Sequence, residues 1–205
     1  MTMKKILVLS MMLFSVMTMN AQNEEGESSI MPKIGLNLST LAGDKDAKLL
    51  PSYLGGFEYE FGCSDQLGLV AGVLYSEQGE KDKVNDLTLR LGYVNVPLMV
   101  QFYPVKGLAL KAGAQLGFLV TKKAKVGDVK YDFDKLEAMG IMPGSFRKFD
   151  LAIPMGISYE LKNFVLDARY NLGLIGIFKK DAEMEDNYRN SVIQISLGYK
   201  IPFKN

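Results

Sequence analysis

Residues 164–177 read FVLDARYNLGLIGI, a mostly apolar run that carries Asp167 and Arg169 near its middle. An unpaired charge is costly to bury in an apolar environment, so two charges in such a run require an explanation. Successive side chains of a β-strand point to opposite faces. In a strand, Asp167 and Arg169 therefore share one face with Asn171 and Gly173, and the apolar residues occupy the other face. The run predicts a strand with one polar and one apolar surface.

The same alternation recurs along the whole chain, with glycine scattered through it. It predicts eight strands, at residues 32–38, 53–61, 67–76, 88–103, 108–120, 148–161, 164–177 and 191–203. Tight turns connect the second strand to the third, the fourth to the fifth and the sixth to the seventh, and long charged connections alternate with them. Residues 132–139 alone suggest one or two helical turns.

Two architectures fit eight amphipathic strands. A soluble calycin-like barrel turns its apolar face inward, whereas a membrane barrel turns it toward lipid. Strands of ten or more residues favour the membrane, because a tilted spanning strand needs ~9–11 residues. Tight turns at one end and long loops at the other are typical of outer-membrane proteins. The predicted fold class is all-β: an eight-stranded antiparallel up-and-down transmembrane β-barrel with short periplasmic turns and longer extracellular loops.

The composition of the two faces agrees with a membrane barrel. Aromatic residues gather near strand ends on the apolar face, as in the aromatic girdles at the two membrane interfaces. The polar face is rich in glycine, which suits the narrow interior of an eight-stranded barrel better than a face in water. These glycines are Gly35, Gly56, Gly68, Gly72, Gly113, Gly117, Gly156, Gly173 and Gly198.

Charged residues on the polar face are predicted to form a structural ion-pair network in the lumen. An unpaired charge would cost several kcal/mol there, so acids and bases should pair and fill the interior. We expect Asp167 and Arg169 to pair with each other or with charges on other strands, and the lumen to be plugged. The alternative is a proton or ion pathway, or a ligand site. The predicted members are Lys33, Glu58, Glu60, Lys111, Asp150, Glu160, Asp167, Arg169 and Lys200.

The N-terminus indicates export. Lys4 and Lys5 precede a short apolar stretch and a small residue, Ala21, which is the pattern of a signal peptide cleaved after Ala21. The predicted organisation is a signal peptide at residues 1–21, a disordered leader at 22–30 and an outer-membrane β-barrel domain at 31–205. The apolar stretch is too short for a membrane-spanning helix, which needs ~20 residues.

The composition argues against an enzyme. The chain has no histidine and a single cysteine, Cys63, which excludes Ser/His/Asp and Cys/His catalysis and most zinc sites. Residues 113–117, GAQLG, lie within a strand without a following helix and do not form a phosphate loop. Basic and acidic residues nearly balance, at 24 and 23, so nucleic acid is not an expected partner. We predict no catalytic residues, no metal and no cofactor.

Several stretches resemble the PorT-like outer-membrane β-barrel family of the Bacteroidetes. They read PKIGLNLSTL, GVLYSEQGEK, YVNVPLMVQFYPVKGLALKAGAQLGFLVTKK and LDARYNLGLIGI, in the expected order along the chain. The most specific are Tyr-x-x-x-Pro-Leu at residues 93–98 and Arg-Tyr-Asn-x-Gly-Leu at 169–174. The resemblance implies an eight-stranded barrel in the outer membrane of a Gram-negative bacterium. The family's namesake is linked to protein secretion, whereas most members have no assigned activity.

These observations give three functional hypotheses. The first is a small plugged, non-enzymatic outer-membrane barrel with a structural, adhesive or transport-accessory role. The second is a PorT-like component of a secretion machinery, and the third is a soluble periplasmic barrel that binds a lipid inside. The expected partners of the first two are outer-membrane lipid, lipopolysaccharide and, during insertion, the barrel-assembly machinery. The second adds secretion-system subunits.

Overall fold

The computed structural model describes residues 26–42, 47–82, 87–126, 129–133, 146–178 and 188–203. All strands within these residues pair antiparallel in one sheet. They are β1 (Ser28–Ala42), β2 (Ala47–Lys48), β3 (Leu50–Ser64), β4 (Leu67–Asp82), β5 (Leu87–Val105), β6 (Leu108–Val126), β7 (Val129–Asp132), β8 (Phe149–Leu161), β9 (Phe164–Gly176), β10 (Arg189–Tyr199) and β11 (Ile201–Phe203).

The sheet closes on itself at β1. Along one edge β1 pairs with β3, where Lys33 lies opposite Gly56, and along the other with β10, where Lys33 lies opposite Gly198. The barrel wall consists of β1, β3, β4, β5, β6, β8, β9 and β10, the last prolonged past Lys200 by β11. The two short strands, β2 and β7, extend the sheet beside β4 and β6. The predicted closed, eight-stranded antiparallel barrel is confirmed.

Part of the wall is taller than the sequence predicted. The third and fifth predicted strands end at residues 76 and 120, whereas β4 continues to Asp82 and β6 to Val126. The added residues are largely charged and were assigned to loops. They remain in strands because each pairs with a neighbour, as Lys81 does with Thr88 and Lys125 does with Lys130. At the end of the barrel that carries the long connections, the part of the wall from β4 to β7 therefore extends beyond the other strands.

The start of the barrel also differs from the prediction. The expected leader, residues 22–30, overlaps β1, which begins at Ser28. Ser28 and Ile30 lie opposite Phe61 and Tyr59 of β3 and opposite residues of β11. The leader assignment is wrong for residues 28–30, because their backbone groups complete the ladder that closes the barrel. The predicted signal peptide lies outside the described residues.

Three connections at one end of the barrel are two-residue turns, at residues 65–66, 106–107 and 162–163. Gly107 and Lys162 adopt positive φ angles of 80° and 57° there, as tight turns between strands require. The helical turns expected at 132–139 fall largely outside the described residues, and Asp132 itself ends β7. No helix among the described segments is long and apolar enough to cross a bilayer.

The two faces of the wall point as a membrane barrel requires. In β1, the side chain of Ile34 is 72% exposed, whereas that of the adjacent Lys33 is only 3% exposed. Exposed and buried positions alternate along β9, and the exposed ones there are apolar, such as Leu166 and Leu172. An apolar surface of this extent is unfavourable in water and suited to lipid. The soluble barrel with an apolar interior is therefore wrong.

Gly68, Gly117 and Gly198 face side chains of the narrow interior, as expected, whereas other glycines of the inner face have a different role. A Cβ atom added at Gly56 would lie 2.2 Å from the carbonyl oxygen of Val73, and one at Gly113 would lie 2.1 Å from that of Leu98. Both contacts are with the backbone of the neighbouring strand, not with side chains across the lumen. These glycines allow adjacent strands to approach closely in the strongly curved wall.

Candidate functional site: the barrel lumen

Five charged side chains form a cluster in the middle of the lumen, which we call the middle cluster. They come from β1, β3, β6 and β9, and each is at most 5% exposed. The members are Lys33, Glu58, Lys111, Asp167 and Arg169.

Two carboxylates hold the middle cluster together. Glu58 lies 2.8 Å from the Lys33 ammonium and 2.9 Å from the Arg169 guanidinium. Asp167 Oδ2 accepts hydrogen bonds from Lys111 at 3.0 Å and from Arg169 at 3.3 Å, and lies 3.5 Å from Lys33 Nζ. The two charges of the apolar run at 164–177 thus pair with each other and with three other strands. With three cations and two anions, the cluster has a net charge of +1.

A second group, the periplasmic cluster, lies near the two-residue turns. Lys200 contacts Glu60 at 2.9 Å and Glu160 at 2.8 Å. The Tyr103 hydroxyl lies 2.8 Å from Glu60 and 2.5 Å from Glu160, and accepts a hydrogen bond from Gln101. One cation and two carboxylates give a net charge of −1, which offsets the charge of the middle cluster.

Tyr103 was not predicted as a site residue. Its signal was present in the sequence, because it shares the inner face of β5 with Gln101 by the same period of two. A tyrosine has one hydroxyl proton and can donate to only one carboxylate at a time. Tyr103 therefore donates to one of the two acids at a time, and Lys200, which contacts both, supplies the positive charge between them.

Asp150 does not join either cluster, although the sequence predicted it as a member of the ion-pair network. It is 6% exposed, and its Oδ2 accepts a hydrogen bond from Asn190 at 3.2 Å. Its other oxygen, Oδ1, has no hydrogen-bond partner among the described residues. The cause is its position near the loop end of β8, away from the lysines and Arg169, where its neighbours are neutral. The other eight predicted residues all form ion pairs in the lumen.

Neutral polar side chains fill the lumen between the middle cluster and the loop end. Asn37 donates to Ser76 Oγ at 3.0 Å and to the Glu77 carbonyl at 2.7 Å, and Gln194 donates to Asn37 Oδ1 at 3.0 Å. Other members of this layer have buried polar atoms without a hydrogen-bond partner among the described residues. Such groups are usually bonded to ordered water, so this layer is suited to hold water. The residues of this layer that carry such polar atoms are Asn95, Gln115, Asn171 and Asn190.

At the loop end, apolar side chains of the inner face pack together in what we call the apolar cap, beside the buried Gln78, Glu80 and Lys122. Phe146 packs against Phe133 and Phe178, with ring centroids 5.6 and 5.2 Å apart. The buried members of the cap are Leu41, Leu89, Leu91, Tyr93, Ala124 and Ile177. The partly buried residues packed on them are Leu119, Phe133, Phe146, Phe178 and Tyr188.

The apolar cap was not anticipated from the sequence. Leu91 and Tyr93 share the inner face of β5 by the period of two, and a register shift in β6 opposite them, between Leu119 and Thr121, turns Ala124 to the inside as well. The alternation of leucines at 87–91 was a usable signal. By itself this alternation predicts only a strand, because the sequence does not show where the apolar cap begins.

The described residues contain no group of three or more histidine, cysteine or acidic side chains suited to hold a metal ion. Eight of the nine predicted lumenal charges are instead bound to one another.

Comparison with known proteins places the chain among outer-membrane proteins. Residues 20–179 match the family described as outer membrane protein beta-barrel domain. No curated protein matches the chain.

Similar solved structures include three outer-membrane proteins. Neisserial surface protein A is 14% identical, with a TM-score of 0.52 over 86% of this chain and 100% of that one. The attachment invasion locus protein Ail of Yersinia pestis is 19% identical, with a TM-score of 0.48 over 86% of this chain and 99% of that one. OprG of Pseudomonas aeruginosa is 16% identical, with a TM-score of 0.40 over 89% and 99%. The match to the family covers most of the chain, and the chain belongs to the outer membrane protein beta-barrel domain family.

Proposed function

We propose that the protein is a small, plugged, non-enzymatic barrel of the outer membrane with a structural, adhesive or transport-accessory role. The observation that carries this proposal is the order of layers along the lumen. From the turn end these are the periplasmic cluster, the middle cluster, the neutral polar layer and the apolar cap.

Each layer opposes the passage of ions or solutes in a different way. The two charged clusters bind their own counter-ions, so a passing ion would have to break buried pairs. The side chains of the apolar cap are mostly aliphatic or aromatic, and such groups replace the hydration shell of an ion poorly. A barrel filled in this way serves as a rigid support for the surface that it exposes outside the cell.

Conductance in planar bilayers tests the plug. The full chain, refolded in detergent and inserted into a bilayer, should give no steady single-channel steps, while an outer-membrane porin in the same bilayer provides the positive control. Steady, large steps would refute the plugged interior. Heat-modifiable gel mobility of the same sample shows that the barrel has folded.

The export and location of the protein have separate tests. N-terminal sequencing of the mature protein should show that it begins after Ala21. The protein should fractionate with outer-membrane lipid and lipopolysaccharide, and depletion of the barrel-assembly machinery should reduce its insertion. Recovery from the soluble periplasm without detergent would contradict the proposed location.

A PorT-like role in secretion is the alternative, and it rests on the resemblance at residues 93–98 and 169–174. In the structure, Tyr93 belongs to the apolar cap and Arg169 to the middle cluster, so both are buried. The polar residues of these motifs therefore contribute to the barrel interior, and Leu98, Tyr170 and Leu174 lie on the apolar outer face that we assign to lipid, which favours the support role. Loss of secreted proteins after deletion of the gene, with the outer membrane intact, would favour secretion instead.

A further inference from the structure

Asp150 is the one predicted lumenal charge that forms no ion pair with the described residues, although it is only 6% exposed. Its Oδ2 atom accepts a hydrogen bond from the Asn190 amide at 3.2 Å, and its Oδ1 atom has no hydrogen-bond partner among the described residues. A buried carboxylate without a counter-charge is costly, so such a group pairs with a base, binds a cation or takes up a proton. The neighbours of Asp150 distinguish these cases.

Three more oxygen atoms without a hydrogen-bond partner among the described residues lie in the same neutral polar layer. They belong to the amides of Gln115, Asn171 and Asn190, each at most 3% exposed. The bond from the Asn190 nitrogen to Asp150 fixes the orientation of that amide, so its unpartnered atom is the oxygen. With Asn95 included, unpartnered acceptors outnumber unpartnered donors by four to two. A surplus of oxygen acceptors around a carboxylate is the environment that binds a cation.

Cross-strand pairing brings these side chains to Asp150. Gly117 lies opposite Asp150 of β8 and opposite Asn95 of β5. A Cβ atom added at Gly117 would lie 2.9 Å from Asn95 Oδ1 and 3.2 Å from Asp150 Cβ, so the two side chains meet over the glycine. Gln115 lies opposite Ala152, two residues along β8 from Asp150. It is therefore the diagonal neighbour of Asp150, a separation that a long side chain spans.

The site is bounded on two further sides. Asn171 of β9 lies opposite Val192, two residues along β10 from Asn190, and is therefore the diagonal neighbour of Asn190. Toward the loop end, Tyr93 of the apolar cap covers Gly117, with its Cδ1 atom 3.5 Å from the same added Cβ. The cap keeps the local dielectric constant low, which strengthens the attraction between a cation and the oxygens below it.

The charge of the lumen favours a monovalent cation. The middle cluster carries +1 and the periplasmic cluster −1, and the buried Glu80 and Lys122 are one base and one acid, so Asp150 adds one negative charge. A monovalent cation neutralises this charge, whereas a divalent cation would leave a surplus positive charge in the interior. A proton on Asp150 would also neutralise it but would serve only one of the four oxygens.

We propose that Asp150, Asn190 and Gln115 bind one monovalent alkali cation beneath the apolar cap. Asp150 supplies the negative charge, the amide oxygens supply neutral ligands, and ordered water of the same layer completes the coordination. The ion is a structural counter-ion that joins β6, β8 and β10. The sequence did not indicate this site, because amides on separate strands have no recognisable metal-binding spacing.

Side-chain NMR tests the occupancy of the site without any variant. The full chain is refolded in neutral detergent and titrated with NaCl against choline chloride at constant ionic strength. The side-chain amide resonances of Asn190 and Gln115 should shift with saturation as Na⁺ replaces the larger choline. That of Asn37, which donates to Ser76 Oγ and the Glu77 carbonyl, should not.

Urea titration in the same two salts, followed by heat-modifiable gel mobility, tests the residues. In wild type, the folding equilibrium constant should rise about tenfold for each tenfold increase in Na⁺ above the dissociation constant, as for one bound ion. D150N should lose this dependence and should be at least as stable as wild type in choline, because an uncompensated buried charge is removed. Q115L should shift the Na⁺ titration to about tenfold higher concentration.

D167N is the matched control. It makes the same chemical change in the same lumen, but Asp167 is ion-paired within the middle cluster. D167N should lose stability in both salts and keep the dependence on Na⁺.

Four results would overturn the proposal. Equal stability of wild type in Na⁺ and choline, or no saturable shift at Asn190 and Gln115, would show that water alone fills the layer. Retention of the Na⁺ dependence in D150N would place the ion elsewhere. Loss of the dependence in D167N as well as in D150N would show that the effect is not local to Asp150. Greater stabilisation by Ca²⁺ than by Na⁺ at equal concentration would contradict a monovalent site.

Discussion

Replacing Asp167 by asparagine removes the carboxylate that three cations share, with little change in volume. Its Oδ2 atom lies 3.0 Å from Lys111, 3.3 Å from Arg169 and 3.5 Å from Lys33. The substitution raises the net charge of the middle cluster from +1 to +2 and leaves Glu58 as its only anion. Breaking a buried pair by removing one partner costs about 3–5 kcal/mol. We expect D167N to lower the free energy of unfolding by that amount.

Replacing Arg169 by leucine should cost less than D167N. Without Arg169, two cations and two anions remain, with Lys33 on Glu58 and Lys111 on Asp167. The net charge of the cluster falls to zero and each carboxylate keeps a partner. R169L should still destabilise the barrel, because the guanidinium bonds to both acids are lost.

Urea titration of the refolded protein in detergent, followed by heat-modifiable gel mobility, measures both effects. K106Q removes one charge at an exposed turn and is the control. The double variant D167N/K111M should recover part of the loss, since it removes a cation along with the anion. Stability of D167N within about 0.5 kcal/mol of wild type would refute the assignment of the middle cluster as a mutually dependent unit.

Three further substitutions probe other parts of the barrel in the same assay. Tyr103→Phe removes the hydroxyl that lies between two carboxylates and should cost about 1–3 kcal/mol; no loss would show that its hydrogen bond does not stabilise the cluster. Leu91→Ala should cost about 2–5 kcal/mol and the exposed Leu49→Ala little, whereas equal costs would mean that the apolar cap is not a packed core. Gly113→Ala should cost about 1–3 kcal/mol, because its Cβ would meet backbone at 2.1 Å. Gly55→Ala, with its nearest atom at 3.6 Å, should be nearly neutral, and equal effects would contradict the close-approach role.

The faces of the strands could be predicted because they depend only on the period of two. Leu98 and Gln101 lie three residues apart in one strand, and the structure places them on opposite faces, as the alternation requires. Eight of the nine residues predicted for the lumenal network form ion pairs there. No knowledge of the partner strands was needed for this result.

The partners within the lumen could not be predicted, because they depend on the stagger of the strands around the barrel. Asp150 shares its inward direction with the other charges but lies nearer the loop end, where Asn190 meets it. The apolar cap could not be predicted for the same reason, because its position also depends on the stagger of the strands. Leu89 and Leu91 follow the alternation of the lumen, and only the closed barrel shows that they pack into the apolar cap.

The central claim is that the apolar face of the wall meets lipid and the polar face lines the lumen. Single cysteines at Leu98, which is 55% exposed, and at Gln101, which is fully buried, test it in a Cys63→Ser background. In bilayers, the L98C variant should react with an apolar maleimide, and brominated lipids should quench a fluorophore attached there. Q101C should stay unreactive until the barrel is unfolded. The reverse pattern, with Q101C reactive and L98C protected, would contradict the account.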